Sequence, residues 1–145
     1  MTGFGEAIGL YYRRYFDFVG RSSRAEYWWF QLYLWVVIIF FCIALGITVE
    51  DMESDELATS SAFILIGLGL FVLVHWIGNI ALAVRRFHDL DQTGWLVLVF
   101  FLFGLIPLLG LLVALGQIIW FIFPGTDGPN RYGPDPLNYH HYDTF

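Results

Sequence analysis

The sequence predicts an all-α integral membrane protein, and three observations carry that prediction. Three nearly charge-free apolar runs, 27–49, 62–84 and 95–123, hold about half of the 145 residues. Each reaches the roughly 20 residues a helix needs to cross ~30 Å of hydrocarbon, whereas helices of water-soluble domains keep a polar side. The composition is 58% hydrophobic, 20% aromatic and only 14% charged, which suits neither a disordered chain nor a soluble domain. The arginines, finally, flank the apolar runs unevenly. A chain of 145 residues has too little polar surface to wrap three such helices as a soluble core, so lipid is the expected solvent, and residues 1–145 form a single membrane domain.

Residues 4–19, plotted at 100° per residue, separate into two halves. Phe4, Ile8, Tyr11, Tyr12, Tyr15, Phe16, Phe18 and Val19 share one, and Glu6, Arg13, Arg14 and Asp17 the other. An amphipathic segment of this kind is expected as an interfacial helix in the headgroup plane, its rings sunk into the acyl boundary. The alternative is that the aromatic face packs onto the bundle. The chain breaks at Gly20 and restarts at Ser23, which with Glu26 has the S-x-x-E spacing of a capping box. The first span, 27–49, follows, with Tyr27, Trp28 and Trp29 at the depth where amphipathic rings anchor a helix. It lacks a small-x-small cleavage pattern and is expected to stay in the protein. Cys42 lies inside it as packing material, so no disulfide or cysteine-based metal site is expected within one chain.

Residues 50–61 read as an acidic outer loop, with five acids between Glu50 and Glu56 and no arginine. The D-x-D-x-D-G spacing of a calcium loop is absent, which favours a solvated loop. In the second span, 62–84, Gly67, Gly69 and Gly78 offer places where a neighbouring helix can approach closely. His75 and Asn79 are four apart and share a face, so they mark either an intramembrane function or hydrogen-bonded glue between helices. The third run, 95–123, exceeds one comfortable span and falls short of two. Gly104, Pro107 and Gly110 at its middle allow two short helices whose ends return to one side, or else one kinked span. The hairpin reading requires this segment to pack against the first two helices, because bent backbone in lipid needs shielding. The polar tail, 124–145, carries prolines at 129, 134 and 136 and glycines at 125, 128 and 133, and is expected to cap the bundle with successive turns.

Arg13, Arg14, Arg21 and Arg24 precede the first span and Arg85 and Arg86 follow the second, which places both groups, and the N-terminus, in the cytoplasm of a multi-pass protein. Three polar motifs stand at the edges of the runs: F-x-G-R-x-x-R-x-E-Y-W over 18–28 in the portion Phe18 to Trp28, R-R-F-H-D from Arg85 to Asp89, and G-T-D-G-P-N-R-Y-G-P-D-P from Gly125 to Pro136. In this order they resemble the small bacterial inner-membrane proteins grouped as domain of unknown function 805, over residues 16–136. Asp91-Gln92-Thr93-Gly94-Trp95 departs from the family pattern, which more often carries an arginine there, so one positive charge is missing from that turn. The resemblance implies a fold and a bacterial inner (plasma) membrane location, and no reaction, since the family has no established activity.

If the third run is a hairpin, the motifs gather at one cytoplasmic face. Arg21, Arg24, Arg85, Arg86 and Arg131 then meet Glu26, Asp89 and Asp135, with His88 and Asn130 beside them, as an internal clamp, an anionic headgroup seat, or both. Catalytic chemistry finds little support. His88 and Asp89 are adjacent on a helix and point about 100° apart, so they cannot pair as base and orienting carboxylate. His140-His141 reads as a tail, and no phosphate-binding glycine loop, serine elbow or H-E-x-x-H is present. The sequence therefore predicts no catalytic residue, no cofactor and no metal. Its leading function is a non-enzymatic membrane protein whose arginine-rich face meets anionic lipid headgroups or a protein partner, with a homo-oligomer as one form of the latter. Nothing in it is basic enough for nucleic acid. A membrane enzyme acting on a lipid or phosphorylated group through His88, and a small channel or carrier using His75 and Asn79, are the competing classes.

Overall fold

The computed structural model of the chain describes residues 2–50 and 55–137, with the backbone alone at 47–50 and 55–58. Residues 51–54 of the acidic loop, and the tail beyond residue 137 with His140-His141, lie outside the described residues. Five helices follow in order: α1 (Phe4–Arg13), α2 (Arg24–Glu50), α3 (Asp55–Asp89), α4 (Leu96–Gly104) and α5 (Leu109–Ile122). Among the described residues the only extended pairing is one isolated bridge between Asn130 and Gly133.

The long pair α2 and α3 forms the frame, and the expected spans prove shorter than the helices. Residues 55–61, expected in the acidic loop, already belong to α3, which also continues through the polar residues 85–89. Hydropathy detects where side chains are apolar, while the backbone hydrogen-bond ladder runs on past that point. Within Arg24–Gly46 and Thr59–Asp89 only 11% and 17% of the most apolar window is buried. The core helices of a soluble protein would be mostly covered, so these apolar flanks face outward, as an all-α membrane protein requires. Cys42 belongs to that exposed surface, not to interior packing.

Burial concentrates at one end of the bundle. Tyr11, Phe30 and Leu82 form one buried cluster, and Ala83, Phe87 and Phe121 another, with Tyr27 packed against both. Helix α1 ends at Arg13, earlier than the expected 4–19 segment, and it uses its aromatic face in two ways. Ala7 and Tyr11 are fully buried against the bundle, while Phe4 and Tyr12 stay exposed. Tyr11 stacks on Phe30 at 3.5 Å, and its hydroxyl donates to His75 O at 2.9 Å. The approach is close enough that a Cβ on Gly78 would collide with the Tyr11 hydroxyl and the Tyr15 ring, whereas Gly69 has open space around it. The latter is therefore not a packing site.

The third apolar run is a hairpin of two short helices. Nine and fourteen residues at 1.5 Å each reach about 14 and 21 Å, so neither crosses the ~30 Å of hydrocarbon. At the bend Leu109 N–H donates to Pro107 O at 2.8 Å around Leu108, whose φ of 66° and ψ of −48° make a γ-turn of the rare, strained type. Gly110 lies so close to Gly104 O that a side chain there would collide with it. The expected shielding takes a different form from packing on α2 and α3, because Leu105, Ile106 and Leu108 are exposed. Instead the N–H groups of Leu105, Ile106, Leu109 and Gly110 bond to carbonyls within the hairpin, and Pro107 has none to satisfy.

Candidate functional site

Five sequence segments converge on the end of the bundle where α2 begins and α3 finishes. Helix α2 is capped there by Ser23, whose Oγ accepts the Glu26 N–H at 3.1 Å. Only half of the expected capping box forms. The Glu26 carboxylate turns sideways, accepting the Ser22 hydroxyl at 2.9 Å and lying 3.6 Å from Arg85 Nη2. At the other terminus Asp91 N–H donates to His88 O and Gln92 N–H to Phe87 O, a Schellman closure with Asp91 at the left-handed position, φ 55°. That closure ends α3 immediately after its charged turn and starts the chain towards α4.

Three guanidinium groups fill the junction. Arg85 and Arg86 are fully buried and Arg21 is 4% exposed. Arg21 pairs with Asp89 (Nη2 to Oδ1, 2.9 Å), and donates Nη1 to Gly128 O at 2.6 Å and Nη2 to Thr126 O at 2.5 Å. Arg86 pairs with the second Asp89 oxygen and donates to Phe121 O and Phe123 O at the end of α5. Arg85 donates to the Ser22 hydroxyl at 2.9 Å and to the carbonyls of Arg14 and Asp17. Its buried part thus holds three cations against the two carboxylates Glu26 and Asp89, a formal excess of one positive charge. Six carbonyl oxygens, from residues 14, 17, 121, 123, 126 and 128, supply the remaining acceptors. Arg85 Nη2 and Arg86 Nε are buried without a hydrogen bond among the described residues.

The tail closes over this junction by backbone contact. Thr126 N–H donates to Asp89 O at 2.8 Å, and Asn130 Nδ2 donates to His88 O at 2.9 Å. A Cβ on Gly125 would overlap the Asp89 carboxylate, so the chain passes as near to that group as a glycine allows. Asp135 accepts the Gly128 N–H at 3.1 Å and holds the turn.

Of the five arginines expected to gather, Arg21, Arg85 and Arg86 do so, and two stand at the rim. Arg24 is exposed and donates Nη1 to Ile122 O at 3.1 Å. Arg131 pairs with Asp91 at 3.2 Å in a largely exposed contact and lies 4.8 Å over the Tyr132 ring. Arg14 and Asp17 belong to the junction although periodicity assigned them to the polar face of a helix. Their R-x-x-D spacing just before Gly20 was the available signal, and it forms a 2.9 Å ion pair. Burial alone would push the Asp17 carboxyl up, but the Val19 N–H and the Arg14 guanidinium outweigh it and hold it below its usual range.

His88 and Asp89 do diverge. Asp89 faces the arginines, while the His88 ring turns to the opposite side, stacked on Tyr132 at 3.9 Å with Nδ1 3.1 Å from Gly20 O. His75 and Asn79 bond to neighbouring helices. His75 Nδ1 donates to Phe71 O at 2.8 Å, so Nε2 accepts the Tyr12 hydroxyl at 2.8 Å. Burial first, and the Tyr33 hydroxyl next, push the Tyr12 phenol up to about 12. Asn79 Oδ1 accepts from Gln31 at 2.7 Å. His75 is thus bonded within α3 and to α1, and Asn79 to α2.

Comparison with known proteins follows the same geometry. The profile of the family described as "Protein of unknown function (DUF805)" matches residues 15–134, which begins just after α1 and takes in both long helices, the hairpin and the tail turns. This chain belongs to the DUF805 family. Among curated DUF805 relatives, "Inner membrane protein YhaH" of Escherichia coli (strain K12) is 36% identical over 124 residues, 86% of this chain and 90% of the relative. "Inner membrane protein YhaI" of the same strain is 33% identical over 127 residues, 86% of this chain and 89% of the relative. No solved structure matches this DUF805 chain.

Proposed function

We propose that the chain is a non-enzymatic, multi-pass protein of the bacterial inner membrane, with the arginine-bearing end and the N-terminus in the cytoplasm. Its buried arginines clamp the bundle, and its exposed ones bind anionic lipid headgroups. The location is supported by the relatives' names, and the orientation by the placement of charge. All seven arginines lie before α2, in its first turn, at the end of α3 or in the tail, and the α4–α5 hairpin returns the tail to that same end. The preference of arginine for the cytoplasmic side supports that direction of insertion.

The observation that carries the lipid reading is the division of labour among the arginines. Arg21, Arg85 and Arg86 are occupied by this chain's own acceptors, and an incoming phosphate would have to break those bonds. Arg24 is different. It stands exposed above a groove of about 510 Å³ lined by Trp28, Trp29, Leu32 and Ile122. A guanidinium over apolar side chains is complementary to a phosphate over an acyl chain. The enzymatic reading needs a second reacting group beside His88, and among the described residues the other hydroxyl or ionisable side chains lining its cleft are Thr93 and Tyr132.

Arg24→Gln in nanodiscs of mixed phosphatidylglycerol and phosphatidylcholine tests the proposal, with lipids retained through purification quantified by mass spectrometry. One arginine near the surface contributes ~1 kcal/mol, so enrichment of phosphatidylglycerol should fall about fivefold. Equal enrichment in the variant and the unmodified protein would overturn the reading.

A further inference from the structure

A second feature of this end of the molecule serves neither the clamp nor the Arg24 groove. Between α3 and α4 lies a cleft of about 720 Å³, walled by Trp76, Val84, Leu98 and Phe101 and closed at the polar end by His88 and Tyr132. His88 is 9% exposed. Its Nδ1 faces Gly20 O, and a carbonyl can only accept, so Nδ1 carries the proton and Nε2 of the neutral ring presents a lone pair. Nε2 has no hydrogen-bond partner among the described residues. It faces the turn before α4, where a Cβ on Gly94 would come within 3.1 Å of it. The stacked Tyr132 ring holds the imidazole in that orientation.

Among the described residues the lining carries no carboxylate, guanidinium or ammonium group, and its one further aliphatic hydroxyl, Thr93, accepts the Trp95 N–H at 3.4 Å. The Arg131 guanidinium over the Tyr132 ring is already paired with Asp91, so an anionic head would have to compete with that carboxylate, and the Nε2 lone pair repels phosphate oxygen. The required head is therefore uncharged and a hydrogen-bond donor. From His88 to Trp76 the wall runs twelve residues along α3, about 18 Å at 1.5 Å per residue, the reach of a long hydrocarbon chain. We propose that this cleft is a binding site for a neutral long-chain lipid with a hydroxyl head, whose O–H donates to His88 Nε2 while the chain lies between α3 and α4 towards Trp76. The site stands on residues separate from Arg24, so either proposal can fail without the other.

Photolabelling of the full chain in phosphatidylcholine nanodiscs, with hexadecanol bearing a mid-chain diazirine, tests it. Adducts are expected on the α3 and α4 walls between Trp76 and Phe101, and unlabelled hexadecanol should compete about tenfold better than hexadecyl methyl ether, which cannot donate. His88→Leu should erase that difference, and Leu98→Trp, a substitution at an exposed position, should block labelling while Arg24-dependent lipid retention persists. Because alcohol and ether are compared on the unmodified protein, the test survives a variant that fails to fold. Equal competition by the ether would show hydrocarbon filling alone and overturn the proposal, as would adducts elsewhere or stronger competition by hexadecyl phosphate.

Discussion

Asp89 shows what a single residue does in this molecule. Its carboxylate faces Arg21 and Arg86, both of them inaccessible, and its carbonyl accepts the Thr126 N–H. Removing one partner from a buried ion pair strands the others, which costs about 3–5 kcal/mol, whereas an exposed pair contributes under about 1 kcal/mol. Asp89→Ala is therefore expected to lower stability by that larger amount in thermal unfolding in detergent, and Arg131→Ala, which breaks the exposed pair with Asp91, by less than about 1 kcal/mol. Equal, small losses would show that the junction is not a clamp. At this scale the sequence identified Arg21, Glu26, Arg85, Arg86 and Asp89 because charge beside a long apolar run is conspicuous. It did not separate them from Arg24 and Arg131, since burial depends on which segments fold over a residue. Ser22, Thr126 and the backbone carbonyls were missed because small polar groups and main-chain oxygens leave no pattern in a sequence.

Among the elements, the α4–α5 hairpin departs most from regular geometry. Leu108 holds positive φ without the freedom of glycine, and such a backbone costs on the order of 1–3 kcal/mol. Leu108→Gly should raise stability by about 1 kcal/mol, since its exposed side chain contributes little packing within the chain. Gly110→Val should do the reverse, by driving a side chain into Gly104 O. Thermal unfolding of the two variants checks both, and a destabilised Leu108→Gly would show that the bend is not strained. The helices themselves were legible, because apolar length and the Gly104, Pro107 and Gly110 punctuation are local properties. Their boundaries were less so. Helix α1 stops short of residue 19 because Arg85 takes the carbonyls of Arg14 and Asp17, a contact 68 residues away in sequence for the latter. No period in residues 4–19 encodes that competition.

The whole molecule is a two-helix frame with a half-depth hairpin, tied at one end by buried charge and left apolar along its flanks. Arg21 and Arg86 come from distant parts of the chain, and Thr126 and Phe121 reach them because the hairpin turns back. The sequence left open whether it does, since 29 apolar residues fit a kinked span as well as a hairpin; the decision lies in tertiary contacts such as Arg86 with Phe121 O and Arg24 with Ile122 O. The account requires the tail to share the cytoplasmic side with the arginines that precede α2. Fusing a reporter whose signal depends on compartment after Phe145, in intact cells, measures this directly. The account predicts a cytoplasmic signal, and a periplasmic one would carry Thr126 and Gly128 to the opposite surface from Arg21 and contradict it.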